Sequence, residues 1–593
     1  MRHTHTLIAG VLLAGTASLA FARGPVPMAQ SLKSHADLLS AGLGLDGLRN
    51  PAPPAGETSP ELLRKRALWA NWRGIADLAP GGGYGDWYGR LAPVPGREYS
   101  ALLRIKGNAQ PHRVMVQIPD NYDLDKRCLV VTASSGSRGI YGAIALAGAW
   151  GLNHGCAVAY TDKGAGTGFL AAEGEGYNVD GHLSRDGTPK EFQYPAGAKG
   201  IAVKHAHSGD NPEADWGRYV QQASEYALAT LDSRFPQAAP FTPKNTRTLA
   251  VGVSNGAGAV LRAAELPGNW LDGVVAVSPN IHAPGARPLY DYSTEAALLM
   301  PCALNAADFD TVAYARPGGA KSPTGALRCA SLKADGMLAA DTPQAQAEEA
   351  WTALQAAGWH REAVAAGALS TAFDLWRAVS VTYASAYLRR GPDDMPCGYR
   401  FDTLDAAGKP RTASEAERAL WWSDSTGIPP SVGVGIVDGQ AAGSDAAFAG
   451  LKCLRTLWIG NDAHGQALRR SVAASQAKLP AKGLPVLVVH GTDDGLVPEA
   501  FSGGAYAAWA AKSRPSVRYW QVKHAQHFDA FLGQPVLAMQ YVPLMPYAYR
   551  GLDAVWAAIA ESKPLPDSRT ITPSPRKAGA DGLQPLTAES LGL

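Results

Sequence analysis

Short apolar runs rich in β-branched residues alternate along the chain with segments whose apolar residues recur at helical spacing. Such runs are typical of buried strands, and their alternation with helices predicts a mostly parallel sheet that is covered on both faces. The predicted strands are residues 113–119, 128–133, 156–161, 248–253, 273–278, 484–490 and 517–522. The main predicted helices between and after them are residues 143–153, 216–231 and 552–562.

The stretch between about residue 281 and residue 450 shows no strand signal of this kind. Helical patterns fill it instead, for example at residues 343–357 and 372–388. A structureless loop of this length would be unusual inside a compact domain. We therefore predict that the stretch is a helical lid inserted into the sheet-containing core.

The strand predicted at residues 248–253 runs directly into the sequence G-V-S-N-G, in which the serine is Ser254. This is the pattern of a nucleophile elbow, the tight strand-to-helix turn that carries the serine of α/β-hydrolases. Glycines flank the serine because larger side chains would collide with the strand or the helix, and because strained backbone angles cost least at glycine. Ser254 is therefore the predicted nucleophile, with a serine in an ordinary tight turn as the alternative.

A serine hydroxyl needs a general base, and in this fold an acid and then a histidine follow the nucleophile along the chain. The strand at residues 484–490 leads into H-G-T-D-D-G-L-V-P, which has the form of an acid loop. By its register, Asp494 is the predicted acid. The alternative is Asp493, and the aspartate that is not used would then stabilise the turn.

The strand at residues 517–522 leads into K-H-A-Q-H-F, which contains two histidines. The second, His527, precedes an aromatic residue and is the predicted base. The alternative is His524, and the histidine that is not used would be an ordinary loop residue.

Two backbone N–H groups are expected to stabilise the oxyanion that forms on the substrate carbonyl. One belongs to Asn255, the residue after the nucleophile. The other should come from the Ser134–Gly136 loop that follows the strand at residues 128–133, and we choose Ser135. The alternative is that this segment is a plain Gly/Ser turn. Ligands bind at the carboxyl ends of parallel strands, so these loops should gather at one edge of the sheet.

Composition narrows the range of partners. A hydrophobic content of 46% and a charged content of 18% are those of an ordinary soluble globular protein. The net charge of +2 offers no basic surface for nucleic acid or for an anionic membrane, so we expect neither as a partner.

Residues 1–22 combine a basic start, an apolar segment and an A-x-A cleavage site, which predicts a secretory signal peptide. The mature protein is therefore expected to be secreted, outside the cell or in the periplasm, with no membrane anchor after cleavage.

The six cysteines form an even set, as expected of a protein in an oxidising compartment. Connectivity cannot be deduced from spacing alone. Our prediction pairs neighbours in chain order, and the alternative is that some cysteines are simply small buried apolar residues. The predicted pairs are Cys128 with Cys156, Cys302 with Cys329, and Cys397 with Cys453.

Three further features raise the question of a metal site, a nucleotide site and a site for a substrate carboxylate. The sequence H-A-H at residues 205–207, with Asp210, resembles a metal pair, but no further ligand stands at a typical spacing, so we expect loop histidines and no metal. The glycines at residues 164–168 lack the full phosphate-loop pattern, so no nucleotide and no other cofactor is expected. Arg138 and Lys163, on adjacent strand-end loops, could attract a substrate carboxylate, and the alternative is that both are solvated.

Several strings longer than the elbow carry a family resemblance. They are C-L-V-V-T-A-S-S-G-S-R-G-I-Y-G-A-I from residue 128, C-A-V-A-Y-T-D-K-G from residue 156, K-H-A-H-S from residue 204, V-S-N-G from residue 253, and the segment around His527. With them the chain resembles the secreted 3-hydroxybutyrate oligomer hydrolases, also called hydroxybutyrate-dimer hydrolases. The resemblance implies a small ester substrate, (R)-3-hydroxybutyrate dimers and oligomers, cleaved to monomer downstream of a polyester depolymerase. It also implies that Ser254 is the nucleophile.

Two rival functions remain open. One is an exported esterase for another substrate class, resembling the feruloyl and tannin esterases. The other is a catalytically silent hydrolase fold that is used for binding.

The predicted fold class is α/β, an α/β-hydrolase fold with a mostly parallel, doubly wound sheet and a large inserted helical lid. The predicted organisation, in chain order, is a signal peptide (1–22), an N-terminal linker or arm (23–58), the first part of the core (59–280), the lid (281–450), the second part of the core (451–562) and a Pro-rich, poorly ordered tail (563–593).

Overall fold

The computed structural model describes residues 26–53, 58–424, 426–580 and 582–593. The predicted signal peptide lies outside the described residues. The strands are β1 (Ala29–His35), β2 (Gly96–Leu103), β3 (His112–Pro119), β4 (Cys128–Ala133), β5 (Ala157–Thr161), β6 (Phe169–Leu170), β7 (Gly176–Tyr177), β8 (Leu183–Ser184), β9 (Ala202–Val203), β10 (Arg247–Val253), β11 (Gly273–Val277), β12 (Tyr399–Thr403), β13 (Val434–Asp438), β14 (Val486–Gly491), β15 (Val517–Val522), β16 (Arg569–Ile571), β17 (Ala578–Gly579) and β18 (Gly582–Leu583).

The α-helices vary from single turns to more than twenty residues. They are α1 (Gly44–Arg49), α2 (Pro60–Arg73), α3 (Ala149–Asn153), α4 (Lys204–His207), α5 (Pro212–Arg234), α6 (Asn255–Ala263), α7 (Leu289–Ala303), α8 (Pro323–Ala334), α9 (Pro343–Ala356), α10 (Arg361–Ala372), α11 (Leu375–Leu388), α12 (Glu415–Asp424), α13 (Phe448–Ile459), α14 (Ala463–Ala474), α15 (Gly503–Ala511), α16 (Pro535–Ala538) and α17 (Met545–Ala560). None of the helices in the described residues combines the length and apolar content needed to cross a membrane.

A single ten-stranded sheet organises the molecule, with the order β1-β2-β3-β5-β4-β10-β11-β14-β15-β16. Strands β5 to β16 in this order are parallel to their neighbours, whereas β1, β2, β3 and β5 pair antiparallel. In β10, which lies near the middle, Val251 pairs with Thr132 on one side and with Val275 on the other. This arrangement is the mostly parallel sheet of an α/β-hydrolase, so the predicted fold class is confirmed.

Both faces of the sheet are buried, which explains why its central strands are almost continuously apolar. In β10, Leu249 and Val251 belong to one apolar cluster and Ala250 to the other. The first cluster includes side chains of α2, α17 and the π-helical turn Ile144–Gly148, and the second includes those of α5, α6 and α15. The sheet is thus fixed between two helical layers, and its strand ends are held in one register.

The structure corrects the predicted linker and tail. Residues 23–58 were expected to form an extended arm, but β1 within them pairs with β2 along the sheet edge, and Leu38 and Leu39 behind it are fully buried. Residues 563–593 were expected to be poorly ordered, but β16 within them pairs with β15, and Leu591 is fully buried. Both segments belong to the core because their apolar side chains are buried in it. Their many prolines and glycines are typical of linkers and tails, and this composition led to the wrong prediction.

The lid is longer than predicted. A backbone hydrogen bond of 2.8 Å from the N–H of Ala477 to the carbonyl of His282 closes its base, so we define the lid as residues 283–476. Helices α13 and α14, assigned from sequence to the second part of the core, pack on α7 and α11 within it. Both helices also pack on each other and bury Leu451, Leu454 and Leu468, and these contacts with lid helices are the reason for the correction.

A second insertion, residues 162–211 between β5 and α5, packs against the lid. It carries the short pairs β6–β9 and β7–β8. The hydroxyl of Tyr177 donates to the carbonyl of Arg418 at 2.8 Å, and the indole N–H of Trp422 donates to the carboxylate of Glu191 at 2.7 Å. These buried contacts tie the lid helix α12 to the core.

Three disulfides join neighbouring cysteines in chain order, as predicted: Cys128–Cys156, Cys302–Cys329 and Cys397–Cys453. The first links the start of β4 to the residue before β5, and the other two link elements of the lid. None of the six cysteines is free.

Glycines of α6, the helix that follows β10, permit close backbone approach. A Cβ on Gly258 would collide with the carbonyl oxygen of Asn280, which is backbone and cannot move aside. We expect Gly258→Ala to lower the free energy of unfolding by about 1–3 kcal/mol, despite the better helix propensity of alanine. Equilibrium unfolding in urea measures this change.

The matched control for this prediction is Gly187→Ala, because no atom lies within 4 Å of a Cβ built on Gly187. It should change the free energy of unfolding by less than about 0.5 kcal/mol. Equal unfolding midpoints for the two variants would contradict the proposed collision.

Candidate active site

Ser254 occupies a strained turn between β10 and α6. Its backbone angles are φ 60° and ψ −125°, and α6 begins at the next residue. The turn is held because the N–H of Ser254 donates to the carbonyl of Val277 at 2.9 Å. A Cβ on Gly252 would collide with the backbone of Gly256, and a Cβ on Gly256 with the carbonyl oxygen of Ala133. The glycines of the motif are therefore required by close backbone contacts, as in a nucleophile elbow.

The structure brings together the three side chains that the sequence singled out. The Nε2 atom of His527 lies 2.9 Å from the hydroxyl oxygen of Ser254, and its Nδ1 atom lies 2.7 Å from the carboxylate of Asp494. The three residues follow β10, β14 and β15, which end at the same edge of the sheet. This is the geometry in which an imidazole can take the serine proton while a carboxylate holds the ring.

Asp494 is fully buried and accepts several hydrogen bonds. Its Oδ1 accepts the backbone N–H groups of Leu496 and Val497, at 3.0 and 2.7 Å. Burial alone would raise the pKa of this carboxyl, but the nearby imidazoles of His527 and His490 outweigh it and hold the pKa well below its usual range. Asp494 is therefore ionised across the neutral range, as an acid that orients a base must be.

The two alternatives left open by the sequence lie elsewhere. The carboxylate of Asp493 accepts a hydrogen bond from the hydroxyl of Thr492 at 2.5 Å, and burial raises its pKa. His524 is exposed, has a positive φ of 57° and accepts the N–H of Val542 on its carbonyl. Both are turn residues, so the structure favours Asp494 and His527.

His490, the first residue of the acid loop, has a role that the sequence analysis missed. It is fully buried, and its Nε2 lies 3.2 Å from the carboxylate of Asp494 and 2.9 Å from the carbonyl of Val497. Both partners are acceptors, so Nε2 carries the proton. His490 thus positions the acid. The only sequence signal for it was its place at the end of a buried strand, next to the loop.

The loop after β4 differs from the prediction in one respect. The backbone N–H of Ser135 donates to the carbonyl of Gly142 at 3.2 Å and closes the loop, so it is not free to face an oxyanion. In the part of the chain that the structure describes, the N–H groups of Gly136 and Ser137 have no protein acceptor, and both residues line the cavity at Ser254. Asn255, the other predicted donor, begins α6 beside Ser254 and lines the same cavity.

Buried polar groups hold this loop from behind. The ammonium of Lys163 donates to the hydroxyl of Ser134 at 2.8 Å and to the carbonyl of Gly136, and burial lowers the pKa of Lys163 to about 7. Lys163 is thus a buried support and is not solvated. The hydroxyl of Ser137 lies 2.6 Å from Nδ1 of His205, whose Nε2 lies 2.8 Å from the carboxylate of Glu213.

The histidine pair at residues 205–207 therefore serves the structure. His205 connects the loop to α5, as just described. His207 accepts the backbone N–H of Val203 on its Nδ1 at 2.9 Å, and burial lowers its pKa to about 3. Within the described ranges, no group of three or more potential ligands is placed to hold a metal ion.

The lid lies over Ser254 and forms, together with the core, a cavity of about 410 Å³ that Ser254 lines. Its walls are largely apolar, with Phe373, Leu375 and Val379 from the lid and Phe528 and Phe531 from the segment after His527. The lid is also joined directly to the elbow, because the side-chain amide of Asn255 donates to the hydroxyl of Tyr383 in α11 at 3.0 Å. The cavity is of a size and polarity that suit a small organic ester.

The fold and the hydrogen-bonded Ser254, His527 and Asp494 define an α/β-hydrolase with an inserted lid. The family model described as 3HB-oligomer hydrolase matches residues 20–591 of the chain. The chain belongs to this family.

Curated relatives share this membership over almost the whole chain. The D-(-)-3-hydroxybutyrate oligomer hydrolase of Paracidovorax citrulli is 36% identical over 94% of this chain and 89% of its own length. The protein of the same name from Cupriavidus metallidurans is 35% identical over 95% of this chain and 87% of its own length. Among solved structures, feruloyl esterase B from Aspergillus oryzae is similar with a TM-score of 0.36 and 12% identity, covering 86% of this chain and 88% of that one. A TM-score this low says nothing about activity.

The choice between the two aspartates can be tested directly. Asp494→Asn places an amide opposite His527 and favours the wrong tautomer, so kcat should fall by about 10⁴-fold with little change in KM. Asp493→Asn, the matched control, should lower kcat less than about tenfold. The hydrolysis of a chromogenic short-chain ester, followed together with the melting temperature, measures both, and a larger loss for Asp493→Asn would reverse the assignment.

Proposed function

We propose that the protein is a serine esterase that hydrolyses (R)-3-hydroxybutyrate dimers and oligomers to 3-hydroxybutyrate. The observation that carries the proposal is the hydrogen-bonded series from Ser254 through His527 to Asp494 beneath a lid-covered cavity. The relatives that bear the name of this activity, at about 35% identity over almost the whole chain, support the substrate.

In the proposed reaction, the Ser254 hydroxyl attacks the ester carbonyl and its proton passes to Nε2 of His527. Asp494 accepts the Nδ1–H and stabilises the imidazolium. His527 then protonates the departing 3-hydroxyl oxygen, and a water molecule releases the acyl group from Ser254 by the same route. The steps use only side chains of this protein and water, and no cofactor is required.

The oxyanion is stabilised in this proposal by the N–H of Asn255 and by an N–H of Gly136 or Ser137. The Lys163 and His205 contacts hold this loop in place. A preorganised donor of this type contributes about 3 kcal/mol to lowering the barrier. Ser135, the donor chosen from sequence, is replaced because its N–H closes the loop.

We further propose that the protein acts after export, outside the cell or in the periplasm. Three disulfides with no free cysteine support an oxidising compartment. A signal peptide at residues 1–22 would provide the export route.

The substrate assignment is tested by incubating the protein with (R)-3-hydroxybutyrate dimer and trimer and with methyl ferulate. Monomer release, followed by liquid chromatography, should show a kcat/KM at least about 100-fold higher for the oligomers, because an esterase of this substrate class binds the transition state of its own ester better than that of another. A preference for methyl ferulate would favour the feruloyl-type rival.

The nucleophile is tested with Ser254→Ala. Loss of the attacking oxygen should lower kcat by about 10³–10⁶-fold while the melting temperature stays close to that of the parent, because the side-chain hydrogen bond of this hydroxyl within the described residues is the one to His527. If this variant retained the parent's turnover, Ser254 would not be the nucleophile and the proposed mechanism would be wrong.

A further inference from the structure

Arg138 follows the loop that approaches Ser254, and it lines the same cavity as Ser254, Gly136 and Ser137. Its guanidinium lies against Gly74 at the end of α2, where an added Cβ would collide with it. Glycine at position 74 thus makes room for the cation at the cavity wall.

The guanidinium of Arg138 has no carboxylate partner among the described residues. Its hydrogen bond is that from Nη2 to the carbonyl of Gly74, at 3.4 Å, which is longer than an ordinary hydrogen bond. Burial lowers its pKa to about 10, and no neighbouring acid raises it.

Other buried arginines of this core are paired. Arg64 binds Glu98 at 3.1 Å and Arg113 faces Glu191 at 3.5 Å, while Arg66 pairs with Asp424. A largely buried cation is costly unless an anion compensates it. The contrast indicates that the anion for Arg138 comes from a ligand in the cavity.

The proposed substrate provides such an anion. A linear 3-hydroxybutyrate oligomer ends in a free hydroxyl on one side and a carboxylate on the other, and the carboxylate belongs to the unit that leaves when the last ester is cleaved. A guanidinium is suited to carboxylates because it can donate two parallel hydrogen bonds. The remaining cavity walls are largely apolar and suit the methyl-bearing chain.

We infer that Arg138 binds the terminal carboxylate of the oligomer, so that the ester nearest to it lies at Ser254 and monomers are released from the carboxyl end. This inference rests on the proposed function. It deepens that function by explaining how soluble acids would be selected over neutral esters.

The test compares the dimer acid with its methyl ester, which has the same scissile bond and no terminal charge. The parent protein should show a kcat/KM about 10–100-fold higher for the acid, which is the range expected for one charge-assisted, bidentate contact. Arg138→Met should remove this preference through a higher KM for the acid, with little change in the kinetics of the methyl ester. Arg138→Lys should restore part of the preference.

The control variant is Arg104→Met, which removes an exposed arginine outside the cavity and should leave the acid-to-ester ratio unchanged. If the parent hydrolyses both substrates equally well, or if Arg138→Met keeps the parent's ratio, the inference is wrong while the proposed function stands. If the parent hydrolyses neither substrate, the proposed function itself fails. If Arg138→Met does not fold, Arg138→Lys decides: an acid-to-ester ratio below the parent's supports the inference, and an unchanged ratio overturns it.

Discussion

The strained turn at Ser254 is the constraint on which the site depends. Its positive φ places the hydroxyl above the sheet edge, and this angle persists because the surrounding backbone leaves no alternative. A Cβ on Gly252 would meet the backbone of Gly256 in α6, one on Gly256 the carbonyl of Ala133 at the end of β4, and one on Gly258 the carbonyl of Asn280. Burial of the two apolar clusters on either face of the sheet provides the favourable free energy that offsets the cost of this strained backbone.

Around this turn, the site is assembled from loops at one sheet edge, each supported by buried polar groups. Asp494 is held by two backbone N–H groups and by His490, and the loop after β4 is held by Lys163 and His205. Such groups are stable in the interior only when their hydrogen bonds are satisfied. The same network that permits burial of these charges therefore also preorganises the groups that face the substrate.

The lid changes an open sheet edge into a cavity. Its hydrogen bond from Asn255 to Tyr383 joins it to the elbow, and its hydrogen bond from Trp422 to Glu191 joins it to the second insertion. The largely apolar walls lower the local dielectric response, which strengthens electrostatic interactions in the cavity. The guanidinium of Arg138 on this wall has no carboxylate partner among the described residues, which is the basis of the inferred carboxylate site.

Sequence by itself determined seven strands of the ten-stranded sheet, the elbow and the order of Ser254, Asp494 and His527, because burial and turn chemistry leave local patterns. It also led to the correct cysteine pairs. Only the tertiary structure showed that Asp494 and not Asp493 lies beside His527 and that the N–H of Ser135 is used within its own loop. It also placed β1, β2 and β16 in the sheet and extended the lid to residue 476. These outcomes depend on residues that are distant in the chain. Local sequence does not determine which acceptor a backbone N–H binds in the folded protein, or against which element an apolar side chain packs.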